Sequence, residues 1–120
     1  MRVDARPVGL TGPGLLAMDI TVHQLKRRLD EGHRLLLLDC REASEVAICA
    51  LPDAMHIPMR QTATRIEQLP RDRPIVVYCH HGIRSQPVAK LLSDRGFDAV
   101  SLAGGIDAWS TQIDPSVQRY

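Results

Sequence analysis

In the stretch YCHHGIRS, residues 78–85, a cysteine closes an apolar run and is followed by two histidines, a glycine, an arginine and a serine. If a strand runs directly into a helix here, Cys79 lies at the strand's carboxyl end, where open α/β sheets bind their ligands. A compact loop at that point can turn successive backbone N–H groups toward the sulfur and add the positive end of the following helix dipole. Both favour the thiolate, and His80, His81 and Arg84 are the candidate cationic neighbours that would favour it further. Gly82 permits the positive φ of a tight amide cradle, and Arg84 offers a planar cationic fork to an oxyanion. Together these residues describe a nucleophilic thiolate in an anion-binding loop that an anionic substrate approaches. The alternative is a buried strand-end cysteine beside a solvated loop, because free cysteines are commonly buried.

The flanking pattern supplies the elements that would position this loop. TVHQLKRRLDEG (residues 21–32) predicts a helix with Thr21 as N-cap, Val22, Leu25 and Leu29 on one face and Gly32 as the stop. RLLLLDC (34–40) predicts a strand covered on both faces and ending on Asp39. REASEVA (41–47) suggests a short helix, AMHIP (54–58) a short strand halted by Pro58, and TATRIEQL (62–69) another helix with Ile66 and Leu69 facing inward. RPIVVYC (73–79) is a β-branched and aromatic run, the strand that delivers Cys79. SQPVAKLLSDRG (85–96) follows as a helix with Val88, Leu91 and Leu92 at helical spacing, Pro87 in its first turn and Gly96 at its end. DAVSL (98–102) predicts a strand, and GGIDAWSTQI (104–113) a last helix opened by Gly104 and Gly105. Strands alternating with helices predict an α/β fold, a mostly parallel central sheet flanked by helices on both faces.

With 120 residues and 44% hydrophobic content, one domain with one core is expected. The boundaries read as an N-terminal extension over 1–17, the domain over 18–113 and a tail over 114–120. Fifteen basic and fourteen acidic residues leave a net charge of +1, so no broad field recruits nucleic acid or anionic lipid. The apolar residues of the N-terminus are interrupted by Pro7, Gly9, Gly12, Pro13 and Gly14. That is no signal-peptide core, and nothing elsewhere approaches the roughly 20 apolar residues of a membrane span. A soluble, cytoplasmic protein is expected. Cys40, Cys49 and Cys79 are odd in number and form no C-x-x-C, which argues against a disulfide framework or a thioredoxin-type motif.

Three segments carry a family resemblance. VVYCHHGIRSQPVAKLLSDRGF resembles the active-site segment of rhodanese-type sulfurtransferases, in which Cys-x-x-Gly-x-Arg-Ser follows a hydrophobic strand and opens a helix. LLLLDCREASEVAICALPDAMHIPM is similar to the family's first signature at Asp39, Arg41, Glu42, Glu45, Pro52, Ala54, His56, Ile57 and Pro58. VSLAGGIDAW resembles the closing Gly-Gly-x-x-x-Trp, here Gly104, Gly105 and Trp109. The similarity runs from about residue 19 to about residue 110. Cys49, Ala50 and Leu51 depart from the usual Gly-His-Ile, and Asp53 replaces a glycine after Pro52. A Pro-Asp pair suits a type I turn, so this change bears on backbone geometry more than on chemistry.

The resemblance implies that Cys79 is catalytic, attacking the outer sulfur of a small anionic donor such as thiosulfate, releasing sulfite and holding the sulfur as a persulfide. The loop His80, His81, Gly82, Ile83, Arg84 and Ser85 would bind the donor and stabilise the persulfide, with no metal or organic cofactor. A protein could be the sulfur donor or acceptor instead, and cyanide or a thiol the acceptor. The ending WSTQIDPSVQRY resembles the tails of rhodanese modules found near sulfur-carrier systems at Asp114, Pro115, Ser116 and Tyr120. A solvated terminus is the simpler expectation for it.

Two other functions compete. Cysteine phosphatases and arsenate reductases also surround a thiolate with amides and an arginine, but the phosphatases use Cys-x5-Arg. Here four residues separate Cys79 from Arg84, a smaller ring suited to one sulfur atom. A non-catalytic binding or regulatory module is the second competitor, and the retained cysteine and complete loop argue against it. Asp39 and Arg41 are expected to support the site by tying together segments beside the loop. Cys40 and Cys49 read as small buried hydrophobes; either could resolve a Cys79 persulfide if it lay close. A metal site from Cys79, His80, His81 and His56 lacks the usual ligand spacing. His23 and His33 are expected to have no role, and Trp109 to anchor the last helix in the core.

Overall fold

The structure is a computed structural model that describes residues 19–120; the N-terminal extension expected over 1–17 lies outside the described residues. Strands β1 (Asp19–Ile20), β2 (Leu36–Asp39), β3 (Met55–His56), β4 (Ile75–Tyr78) and β5 (Ala99–Leu102) form one sheet in the order β1-β5-β4-β2-β3. Every pairing is parallel. Helices α1 (Val22–Asp30), α2 (Ala43–Ile48), α3 (Ser85–Asp94) and α4 (Gly105–Gln112) make the connections. The α/β architecture expected from the alternation is the one found, with β1 added at an edge.

Strand β4 is paired on both edges by β2 and β5 and covered on both faces by packed helices, so Ile75, Val76, Val77 and Tyr78 are all fully buried. On one face Leu38, Val77 and Ala99 pack with Val88, Ala89 and Leu92 of α3 and with Ile66 and Leu69. On the other, Leu37, Val76 and Val100 pack with Val22 and Leu25 of α1 and with Ile106 and Trp109 of α4. Thr21 opens α1 as expected: its hydroxyl accepts from the Gln24 amide at 3.1 Å, while Gln24 Oε1 accepts from the Thr21 amide at 2.9 Å. Among the described residues no helix is long and apolar enough to cross a membrane.

Two expectations need correction. Residues 62–69 do not form an α-helix; the segment has 3-10 turns at Met59–Gln61 and Ile66–Gln68, although Ile66 and Leu69 do face inward. The segment is short, lies between Pro58 and Pro70, and the Thr64 hydroxyl donates to the Gln61 carbonyl, competing with helical pairing. The Pro52-Asp53 turn is also not type I. Asp53 has φ +60°, and the Ala54 amide closes on the Leu51 carbonyl at 3.4 Å, so a type II arrangement places a non-glycine where glycine is preferred. Asp53→Gly is therefore expected to stabilise the fold by about 0.5–1 kcal/mol, the left-handed penalty less the added entropy of unfolded glycine. Thermal unfolding should show a Tm higher by a few degrees; a lower Tm would contradict the assignment.

Candidate active site

The strand order brings two chain segments to one end of the sheet. Asp39 and Tyr78 are Cα partners across β2 and β4, so the residues after them, Cys40 and Cys79, leave the sheet side by side. The Cys40 amide donates to the Tyr78 carbonyl at 3.0 Å, extending the ladder one step past the strands. Alternation along the strands places both sulfurs on the α3 face.

The loop after β4 curls around the Cys79 sulfur. The Gly82 amide reaches Sγ at 3.2 Å and the Ser85 hydroxyl lies 3.5 Å away. Ser85 Oγ is 2.6 Å from Ser101 Oγ on β5, so the sulfur is backed by a buried chain of two hydroxyls. Gly82 has φ +92°, and a Cβ there would fall 2.8 Å from the Gly104 amide nitrogen. The loop also leans on the start of α4, whose Ile106 and Asp107 amides hold the Cys79 and His80 carbonyls at 2.9 and 3.1 Å. A Cβ on Gly105 would fall 2.5 Å from the Cys79 carbonyl oxygen, which is why the closing motif carries glycine there.

These donors shift the thiol strongly. Cys79 is pulled down to about 4, first by the hydrogen bond from Cys40, then by the Ser85 hydroxyl and the Ser85 and Gly82 amides, against the opposing effect of burial. Cys40 is held well above the ordinary thiol range by the same bond and by its own burial, so it is the proton donor of the pair. Thiolate ultraviolet absorbance, taken as the difference between the parent chain and Cys79→Ser, is expected to persist at pH 6. It should disappear as the pH falls through about 4, because protonation removes the charged form. A midpoint near 8.5, that of a free cysteine, would contradict this arrangement.

Arg84, the planar cationic fork of the sequence reading, is paired with a carboxylate. Its Nη1 and Nη2 donate to both oxygens of Glu45 at 2.7 and 2.8 Å, and this pairing holds the Glu45 carboxyl down to about 2. The tail is largely exposed but anchored at its end: the Tyr120 hydroxyl donates to Glu45 Oε2 and accepts from Arg41 Nη1, both at 2.9 Å. The ring of Tyr120 stacks on His80 at 3.8 Å, and His80 stacks on His81 at the same distance. The histidines thus form part of a stacked wall, while the largest contributions to the thiolate come from Cys40, Ser85 and Gly82. His81 also lies 4.0 Å from Asp107. Ile83, at the tip of the loop, is 73% exposed.

Asp39 and Arg41 pair with each other at the end of β2. Arg41 is fully buried and donates through Nε and Nη2 to the Asp39 carboxylate at 2.9 and 2.6 Å. Its Nη2 also reaches the Cys49 carbonyl at 2.7 Å, and its own carbonyl bonds His56 Nε2 at 2.7 Å. One guanidinium thus ties the end of β2, the exit of α2 and the tail together. Cys49 packs against the opposite core from Cys40 and Cys79. Glu45, Ser101 and Tyr120 are the contributors that sequence reasoning missed or underrated. Ser101 could have been noticed as the lone polar residue in AVSL.

Comparison with known proteins agrees with this geometry. Residues 21–112 match the Rhodanese-like domain family. A sulfurtransferase of Allochromatium vinosum is 37% identical over 100 residues, covering 82% of this chain and 94% of that one. The thiosulfate sulfurtransferase GlpE of Vibrio cholerae is 32% identical over 95 residues, 78% of this chain and 87% of that one. The crystal structure of a rhodanese-like domain protein from Staphylococcus aureus superposes with a TM-score of 0.74 at 29% identity, covering 85% of this chain and 97% of that one. With the strand-end cysteine, its loop and both flanking motifs inside the matched span, the chain belongs to the rhodanese-like domain family.

Proposed function

We propose that this protein is a sulfurtransferase that carries sulfane sulfur as a Cys79 persulfide. The observation that carries the reading is the convergence of the Gly82 amide and the Ser85 hydroxyl on one buried, strongly acidified sulfur. The thiolate attacks the outer sulfur of a donor such as thiosulfate, the donor S–S bond breaks, and sulfite leaves with the electron pair. The sulfur remains on Cys79, where the preorganised loop donors stabilise its negative charge without reorganising. A thiophilic acceptor, whether cyanide, a thiol or a protein, then removes it. Asp39 and Arg41 act as positioning residues, holding the segments that frame the loop.

Thiocyanate formation from thiosulfate and cyanide tests the reading, and a chain that releases sulfite without forming thiocyanate would overturn the second half-reaction. Glu45 bears on the choice of donor. By occupying both Arg84 nitrogens it leaves the loop little net positive charge for a dianion, and exposed Ile83 beside it suits a less charged or protein-borne persulfide. Glu45→Gln is expected to lower the KM for thiosulfate by roughly threefold to tenfold, with a smaller change in kcat. An unchanged or higher KM would show that Arg84 meets the donor while still paired.

A further inference from the structure

We infer that Cys40 is a second catalytic residue, which resolves the Cys79 persulfide by forming a Cys40–Cys79 disulfide and releasing hydrosulfide. This rests on the sulfurtransferase reading above. Cys40 and Cys79 follow the Asp39–Tyr78 register pair on adjacent strands, and the backbone bond from Cys40 to Tyr78 fixes their alignment. Adjacent strands run about 4.8 Å apart, inside the roughly 4.4–6.8 Å Cα separation that a disulfide spans. Both side chains point to the same face of the sheet and belong to one buried cluster, and both are buried (0% and 1% exposed). Cys49 cannot substitute: it packs on the other side of the sheet beside Arg41.

The step balances without an outside reagent. The outer sulfur of the persulfide first takes the Cys40 proton, the Cys40 thiolate so formed attacks the inner sulfur, Cys79 Sγ, and the bond from Sγ to the outer sulfur breaks. The outer sulfur, already carrying that proton, takes the bonding pair and leaves as hydrosulfide. The outer sulfur is reduced to the sulfide level and the Cys40 sulfur is oxidised, while Cys79 Sγ exchanges one S–S bond for another. The outer sulfur is a competent leaving group because hydrosulfide is a weak base, and attack on the inner sulfur is ordinary thiol–disulfide exchange. A dithiol reductant then returns both cysteines to thiols, so the chain would convert a sulfane donor and a dithiol into hydrosulfide. A competing acceptor that collects the outer sulfur first bypasses the step.

The reduced parent chain, Cys40→Ala and Cys40→Val are each given thiosulfate with no cyanide or thiol present. Intact mass, hydrosulfide and non-reducing peptide maps are then followed in time. In the parent the added sulfur should appear and then be lost, with one hydrosulfide released per chain and peptides joined through Cys40 and Cys79. Both variants should keep the sulfur and release hydrosulfide at least about tenfold more slowly. A parent persulfide as lasting as the variants', or a disulfide through Cys49, would overturn the inference. If no chain takes up sulfur, it is the thiosulfate half-reaction that fails, and the pairing is read separately by treating the reduced parent with diamide. A Cys40–Cys79 link in that arm supports the inference, and its absence overturns it.

Discussion

Replacing Cys79 with alanine is expected to reduce thiocyanate formation by at least about a thousandfold, the order lost when a covalent nucleophile is removed. No other cysteine can take its place. The Gly82 amide and the Ser85 hydroxyl are aimed at the Cys79 position, burial still disfavours a Cys40 thiolate in this variant, and Cys49 lies on the far side of the sheet. The substitution is small and leaves the Ser85–Ser101 pair in place, so the fold should survive and the loss should fall on kcat. Circular dichroism and thermal unfolding of the variant serve as the control. A variant within tenfold of the parent would mean that sulfur passes through a different group.

Arg41→Met is expected to cost about 3–5 kcal/mol of stability, because it leaves the buried Asp39 carboxylate without its partner. That is a large share of the roughly 5–15 kcal/mol that holds a domain of this size together. Thermal unfolding should fall by at least about 10 °C, at roughly 4 °C or more per kcal/mol. The same change frees the Cys49 carbonyl and takes one of its two partners from the Tyr120 hydroxyl, so sulfur transfer should also drop in whatever fraction remains folded. Replacing both partners, with Asp39→Leu added, should be less damaging than the single change, since no uncompensated charge remains buried. A Tm within about 3 °C of the parent for Arg41→Met alone would show that water reaches Asp39.

The sheet and the loop were legible because their signals are local. IVVYC carries no charged residue, as suits a strand buried on both faces, and the Cys-x-x-Gly-x-Arg-Ser spacing places Gly82 where the backbone has positive φ. Thr21, Gly32 and Gly96 marked helix ends by their own conformational preferences. What escaped was set by distant packing. The fate of Arg84 depends on Glu45, 39 residues away, and that of Glu45 on Tyr120, 75 residues away. Residues 62–69 carry a helical spacing of apolar side chains, but the flanking prolines and the threonine hydroxyl decide the backbone. Asp53 adopts positive φ because the turn demands it, against the residue's own preference. The proximity of Cys40 to Cys79 follows from strand register, which spacing alone does not encode.

The central claim, that Cys79 receives the transferred sulfur, is tested most directly by intact-mass measurement of the reduced chain, acid-quenched at the earliest times after mixing with thiosulfate. The expected result is a gain of one sulfur atom mapped to the Cys79 peptide, matched by one sulfite released, with neither seen for Cys79→Ala. A parent chain that gains no sulfur and releases no sulfite, or a Cys79→Ala chain that gains as much, would contradict it.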